Sequence, residues 1–158
     1  LALCCKAVLP LMIKQNAGKI INLSGAGVNR SSPTLSAYGV SKAAVVRFTE
    51  TLSIELEGTN VTANALGPGQ IDTQLLDPIV DAGSDLVEPL MYNMVRNTKS
   101  GGGASIENAA ALAVWLGSER SDGLNGRMIS ATQAEWLNKS IDISEIMSSD
   151  LYTLRFNS

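Results

Sequence analysis

The apolar and polar positions of the first 66 residues predict alternating helices and strands. Residues 1–15 are apolar on most of their helical surface, as in a helix packed on a sheet, and Gly18 is expected to end this helix. The short apolar run 19–23, which contains two isoleucines, is typical of a strand buried on both faces. A second strand is predicted at 60–66. A helix followed closely by a buried strand indicates a parallel sheet.

A long helix is predicted between these two strands. Residues 24–35 are small, polar and turn-forming and are expected to form a loop, and Ser36 is expected to cap the helix that follows. The helix is predicted to run from 37 to about 57 and to end at Gly58. One apolar stripe recurs every four residues along it, at Val40, Ala44, Phe48, Leu52 and Leu56.

The second half of the chain has a weaker pattern. Residues 70–104 are expected to form one or two short helices in a mobile loop region, and Ser105 is expected to cap a further helix. A last strand is predicted at 126–131, followed by a partly ordered tail from 135 to 158. The alternation favours an α/β fold on a parallel sheet. Because three strands are few for such a sheet, we expect the chain to be part of a larger domain.

Composition excludes several classes of protein. Apolar residues make up 45% and charged residues 17% of the 158 residues, and the net charge of −3 gives no basic surface for nucleic acid or anionic membranes. The first apolar segment is too short to span a bilayer. The only cysteines, Cys4 and Cys5, are adjacent, which argues against a disulfide scaffold or metal site and favours a cytoplasmic protein. With no histidine, acid–base chemistry is left to Tyr, Lys, Asp or Glu.

The segment "KIINLSGAG" at 19–27 has two interpretations. Its glycines follow a strand, as in a phosphate-binding turn, but Arg30 stands where a third glycine is due and no helix begins at once. Alternatively, the strand places the hydroxyl of Ser24 at the carboxyl edge of the sheet, where open α/β folds bind ligands. A serine at a strand end is more often part of a turn, so this position alone is weak evidence.

The segment "YGVSK" places Tyr38 and Lys42 four residues apart, on one face of the predicted helix. A phenol is a poor acid or base at neutral pH, and a nearby ammonium favours its ionised form. In a chain without histidine, this pair is the most credible proton-transfer site. The alternative is a solvated surface pair at the start of an amphipathic helix.

The order of strand with serine, loop, Tyr-x-x-x-Lys helix, strand and "NALGPGQIDTQ" resembles the carboxyl-terminal half of the short-chain dehydrogenase/reductase family. The resemblance extends to "DGLNGRMISA" and covers most of the chain. It implies a partial Rossmann-like, doubly wound parallel sheet whose amino-terminal, nucleotide-binding half is absent here. Residues 1–131 would form the carboxyl-terminal half of one such domain, and residues 132–158 an extension of it.

The resemblance also implies roles for individual residues. Tyr38 matches the family's proton donor or acceptor, and Lys42 matches the lysine that also binds the nicotinamide ribose. The turn at Pro68 and Gly69 matches the one beside the nicotinamide. Ile71 and Thr73 follow it, where the family often contacts the nicotinamide amide and the phosphates.

One position departs from the family pattern. The family's catalytic serine lies thirteen residues before the tyrosine, and here that position is Gly25. Ser24 lies one residue earlier. Either Ser24 takes the catalytic role through a small backbone shift, or it is a structural serine and the hydrogen-bond donor is missing or supplied elsewhere.

These observations favour an oxidoreductase that uses NAD or NADP to interconvert a secondary alcohol and a ketone. A catalytically degenerate relative used for binding or assembly is the alternative, and an epimerase or dehydratase relative fits the context "LGPGQIDTQ" less well. The resemblance implies a homodimer or homotetramer formed through helices 1–15 and 37–57. The 75–100 region is expected to shape the substrate pocket, with Met91, Tyr92 and Met94 as candidate lining residues.

Overall fold

Three parallel strands form the sheet of this protein, as a computed structural model of residues 1–25, 28 and 33–155 describes it. The strands are β1 (Gly18–Leu23), β2 (Val61–Gly67) and β3 (Met128–Ser130), and β2 lies in the centre. The predicted strands and the predicted parallel α/β layering are confirmed. Leu23 pairs with Leu66. The carboxyl ends of β1 and β2 therefore lie side by side.

Seven α-helices are found in the described part of the chain, and two short ones, α3 and α4, fall in the 70–104 region as predicted. The helices are α1 (Ala2–Gln15), α2 (Ser36–Glu55), α3 (Asp77–Ala82), α4 (Pro89–Asn97), α5 (Ile106–Gly117), α6 (Ala134–Leu137) and α7 (Ile143–Met147). A π-helical turn, Thr98–Gly102, follows α4 directly. The tail thus contains two short helices.

Two predicted helix boundaries are wrong. Asn16, not Gly18, ends α1: it adopts the left-handed conformation with φ 51°, and its N–H donates to the last carbonyls of the helix. Gly18 begins β1, where a Cβ would lie 2.6 Å from the sulfur of Met12. Ser36 is the first residue of α2 and not its cap, because Leu35 occupies the cap position, where the described residues provide no side-chain capping hydrogen bond. Ser105 does cap α5, accepting a hydrogen bond from the Asn108 N–H at 3.1 Å.

The sheet is covered on both faces by separate apolar clusters. Because side chains alternate along a strand, Ile20 faces α1 and α2, whereas the neighbouring Ile21 packs toward α5. The cluster beneath α5 also contains Trp115, whose ring centroid lies 5.8 Å from that of Trp136 in α6. Helix α6 is thereby packed against α5.

The buried face of α2 differs from the predicted apolar stripe. Val40 is 71% exposed, and the buried residues of α2 are Gly39, Val46, Thr49, Glu50, Leu52 and Ser53. Three of these are polar: Ser53 Oγ donates to the Glu50 carbonyl within the helix, whereas Thr49 and Glu50 have partners elsewhere in the chain. The Asn22 amide donates to Thr49 Oγ1 at 2.9 Å across the β1–α2 interface. The buried polar groups are thus paired, as buried polar groups generally must be.

The buried carboxylate of Glu50 holds the last described residues against α2. Its Oε1 accepts the Leu154 N–H at 2.6 Å, and its Oε2 lies 2.5 Å from Arg47 Nη1 and 3.5 Å from Arg155 Nη1. Arg47 in turn donates to the Leu154 carbonyl at 2.6 Å. The tail is therefore fastened to the helix that carries Tyr38 and Lys42.

Within ranges 1–25 and 33–155, no helix combines the length and the apolar character needed to cross a membrane.

Candidate active site

Tyr38 and Lys42 lie in the first two turns of α2, directly above the carboxyl end of β1. Lys42 Nζ is 5.8 Å from the centroid of the Tyr38 ring and donates to the Leu23 carbonyl at 3.3 Å. Both side chains are partly buried. The spacing predicted from the sequence therefore brings a phenol and an ammonium together at the edge where parallel sheets bind their ligands.

Gly25 is the residue that faces the phenol. A Cβ built at Gly25 would overlap the hydroxyl oxygen of Tyr38, and it would lie 3.2 Å from Tyr38 Cζ and 3.3 Å from Lys42 Cε. Any residue larger than glycine at this position would therefore clash with the phenol of Tyr38. The position thirteen residues before the tyrosine is thus adjacent to it, but it supplies no side chain.

Ser24 is placed differently. Its side chain is buried, the residue being 3% exposed, and among the described residues its Oγ finds no hydrogen-bond partner. Its backbone N–H extends the sheet by donating to the Leu66 carbonyl at 2.8 Å. The structure thus does not join the Ser24 hydroxyl to Tyr38, and its catalytic role stays a prediction. Gly27 and Arg30 of the glycine-turn interpretation lie outside the described residues.

The turn after β2 requires glycine at one position. Gly69 has φ 81°, and a Cβ there would lie 2.6 Å from Ala104 Cβ and 2.7 Å from Thr132 Cγ2. Both the conformation and the space therefore exclude a side chain. Pro68 precedes it, partly buried, at the end of the central strand. This turn lies next to the end of β1 because β1 and β2 are hydrogen-bonded neighbours.

Ile71 and Thr73 follow this turn in different environments. Ile71 is partly buried and packs against the apolar cluster beneath α5. Thr73 is exposed, and its carbonyl accepts a hydrogen bond from Lys99 Nζ at 3.2 Å. Their predicted contacts with a cofactor stay predictions.

Lys99 is a candidate that the sequence patterns did not reveal. Its Nζ lies 2.7 Å from Asp72 Oδ1 and 2.5 Å from Asp77 Oδ1. Hydrogen bonds to Asp72 and then Asp77 raise the pKa of Lys99 above its ordinary value of 10.5. The three residues have no helical or strand spacing, so only the fold brings them together.

The three candidate pocket residues in α4 do not share one environment. Met91 is buried, Tyr92 is partly buried beneath Arg96, and Met94 is 37% exposed. Their predicted role in lining a substrate pocket stays a prediction.

The chain is similar in sequence to several dehydrogenases. The family model described as Enoyl-(Acyl carrier protein) reductase matches residues 1–132. A short chain dehydrogenase of Pseudocercospora fijiensis is 34% identical over 135 residues, which make up 84% of this chain and 43% of that protein. The 2-dehydro-3-deoxy-L-rhamnonate dehydrogenase (NAD(+)) of Sphingomonas sp. is 33% identical over 116 residues, 73% of this chain and 44% of that protein. The chain thus spans less than half the length of these relatives.

Solved structures of dehydrogenases are similar to this chain in fold as well. The gluconate 5-dehydrogenase of Burkholderia cenocepacia, in complex with NADP and tartrate, matches 85% of this chain and 50% of its own with a TM-score of 0.67 and 26% identity. An NAD⁺-bound xylitol dehydrogenase matches 79% of this chain and 52% of its own, with a TM-score of 0.64 and 26% identity. Together with the family model over residues 1–132, these similarities show that the chain belongs to the short-chain dehydrogenase/reductase family.

Proposed function

We propose that the whole protein is an NAD- or NADP-dependent oxidoreductase that interconverts a secondary alcohol and a ketone. The observation that carries this proposal is the Tyr38–Lys42 pair above the end of β1, with Lys42 fixed on the Leu23 carbonyl at 3.3 Å. No other pair of acid–base side chains among the residues described stands at this edge in the arrangement that the family resemblance implies. The bound forms of two similar structures, one with NADP and one with NAD⁺, support the cofactor class.

Tyr38 acts as the proton donor to the carbonyl oxygen in reduction and as the acceptor in oxidation. Its hydroxyl is positioned by the backbone at Gly25, against which it packs. Lys42 places a positive charge 5.8 Å from the centroid of the ring, on the side where negative charge develops as the proton is given up. These two side chains thus supply the proton transfer.

The residues present are suited to the nicotinamide end of the cofactor. An ammonium has three N–H donors, and within the described residues Lys42 directs one of them to Leu23, which leaves donors for ribose hydroxyls. The turn at Pro68 and Gly69 borders the same sheet edge, followed by Ile71 and Thr73. When bound, the cofactor supplies or accepts the hydride.

A serine donor is missing from the position opposite the phenol. Losing one donor to a developing oxyanion costs on the order of 10²–10³ in rate. We therefore expect turnover to be slow unless Ser24 or another group of the whole protein replaces this donor.

The direct test is Tyr38→Phe in the full-length protein. This substitution removes the proton donor and keeps the ring, so turnover should be abolished while the dissociation constants for NADH and NADPH change little. The matched control is Tyr152→Phe, because Tyr152 packs against the apolar cluster beneath α5 and takes no part in the candidate site. Retained turnover in Tyr38→Phe would contradict the assignment.

Gly25 also favours a second candidate function, a degenerate family member that binds a nucleotide or assembles without catalysis. Binding of NADH or NADPH without reduction of any member of a broad panel of ketones and aldehydes would support this candidate. A single substrate that is turned over excludes it.

Three further features belong to this proposal. We expect residues 1–131 and 132–158 to form parts of one domain, because the Glu50 carboxylate joins α2 to Leu154. We expect a homodimer or homotetramer through α1 and α2, whose exposed apolar side chains include Leu3, Leu11 and Val40. A cytoplasmic location stays a prediction.

A further inference from the structure

Lys99 lies at the base of the excursion that the chain makes between β2 and α5. After the turn at Gly69 the chain passes through residues 70–77, which we call the 70–77 loop. This segment contains a 3₁₀ turn at Gln74–Leu76 and ends on the first residue of α3, and the chain then continues through α3 and α4. It returns to the start of this excursion at the π-helical turn Thr98–Gly102. Lys99, in that turn, contacts the 70–77 loop from the opposite end of the excursion.

The ammonium of Lys99 is surrounded by three acceptors, all in the 70–77 loop. These are the carboxylates of Asp72 and Asp77, at 2.7 and 2.5 Å, and the Thr73 carbonyl at 3.2 Å. Three acceptors match the three N–H donors of a lysine, so each donor of this ammonium has a partner in the 70–77 loop. The arrangement fixes the loop at three points with one side chain.

The backbone that follows Lys99 is rich in glycine. Gly101, two residues later, has φ 95°, and Gly102 and Gly103 follow it into α5. Glycines give the backbone freedom to move. One further tie at this base is the Ala104 N–H, which donates to the Gln70 carbonyl at 2.8 Å. The side chain of Lys99 thus links the glycine-rich end of the excursion to the 70–77 loop at its start.

We propose that Lys99 is a positioning residue that fixes the 70–77 loop, and with it Thr73, in the conformation that binds the cofactor. The proposal rests on the proposed function. Lys99 itself is directed to Asp72, Thr73 and Asp77, so it acts through the loop. Its removal frees the loop and leaves two carboxylates close together without a counterion.

The test compares variants of the full-length protein. Lys99→Met removes the ammonium and should weaken NADH or NADPH binding about tenfold, since several pairs are lost together. Lys99→Arg keeps the charge but offers a planar fork in place of three tetrahedral donors, so it should restore part of the affinity. Lys139→Met, at an exposed lysine in the turn after α6, is the matched control and should bind as the unaltered protein does.

Two readouts accompany these variants. Fluorescence titration with NADH and with NADPH gives the dissociation constants. Amide hydrogen exchange of residues 70–77 reports the loop directly, and Lys99→Met should accelerate it while Lys139→Met does not. Unchanged binding, or unchanged exchange in Lys99→Met, would overturn the proposal.

A combined variant distinguishes positioning of the loop from the effect of the lost charge alone. Asp72→Asn, Asp77→Asn and Lys99→Met combined remove the unpaired carboxylates together with the ammonium. If Lys99 positions the loop, this triple variant binds the cofactor as weakly as Lys99→Met does. If it binds as well as the unaltered protein, charge alone explains the effect and the proposal fails. If the unaltered protein binds neither NADH nor NADPH, the proposed function fails together with this inference.

Discussion

Replacing Gly25 by alanine tests whether the close approach of Tyr38 to the strand end matters for catalysis. The new Cβ would lie about 1 Å too close to the phenol oxygen, because ordinary contact with a Cβ begins at about 3.4 Å. The phenol must therefore move by about 1 Å or more, and a misplacement of about 1 Å can lower a rate about 10²-fold. We expect a loss of about two orders of magnitude in kcat in the full-length enzyme.

The free energy of unfolding of the Gly25→Ala variant should rise slightly or stay unchanged, although kcat falls. Gly25 does not adopt a positive φ, and the group it meets is the end of a flexible side chain. Alanine also restricts the unfolded chain, which stabilises by about 0.4–1 kcal/mol where the native conformation tolerates it. Urea unfolding should therefore show an unchanged or slightly higher midpoint, so catalysis and stability separate.

Two further variants complete this experiment. Gly117→Ala, at the end of α5, places its Cβ 3.8 Å from Ile21 Cδ1, an ordinary contact, and should leave kcat unchanged. Gly25→Ser displaces the phenol as alanine does but adds a hydroxyl, so it should recover part of the lost rate. If steady-state assays find full activity in Gly25→Ala, the phenol is not positioned by this glycine and the reasoning is refuted.

Three other predictions concern different parts of the molecule. Gly69→Ala should destabilise the protein by about 1–3 kcal/mol in urea unfolding, because a side chain there requires a strained backbone; an unchanged midpoint would count against the tight turn. Glu50→Ala leaves the partly buried Leu154 N–H without its acceptor, whereas Arg47 and Arg155 are about half exposed and can be solvated, so it should cost about 1–3 kcal/mol, with faster proteolysis after residue 147. Equal proteolysis would show that the tail is held by other contacts. Burial raises the pKa of the Cys5 thiol, whereas Cys4 is exposed, so iodoacetamide at pH 8 should modify Cys4 first and reach Cys5 only on unfolding. Equal alkylation rates in the folded protein would contradict this order.

The first strand was predictable because a strand buried on both faces consists of a short apolar run, and β1 lies at the run 19–23. The segment predicted at 60–66 contains β2, although Thr62 and Asn64 interrupt its apolar residues. The last strand is shorter than predicted because side-chain hydrogen bonds replace part of its ladder. The Asn64 Oδ1, for example, accepts the Arg127 N–H at 3.1 Å. Such replacements depend on the neighbouring strand and leave no local pattern.

The buried face of α2 was not predictable for a related reason. Thr49 and Glu50 are buried because Asn22 and the Leu154 backbone satisfy them, and these partners are distant in sequence. A prediction from the helix alone assigns such polar residues to solvent. The exposed position of Val40 follows from the same displacement of the buried face.

The candidate site also has parts that the sequence predicted and parts that it did not. Tyr38 and Lys42 could be paired from sequence because four residues make about one helical turn. The position of Gly25 opposite the tyrosine follows from a spacing that the family resemblance supplied. The contacts of Lys99 with Asp72 and Asp77 required the fold, because α3 and α4 separate them along the chain.

The pairing of Trp115 with Trp136 determines what intrinsic fluorescence can report. These are the chain's two tryptophans, and their rings lie 5.8 Å apart between α5 and α6. Both lie on the face of the sheet opposite to α2. Tryptophan emission therefore reports how the tail segment packs against α5. Changes around the Tyr38 phenol require a different optical probe.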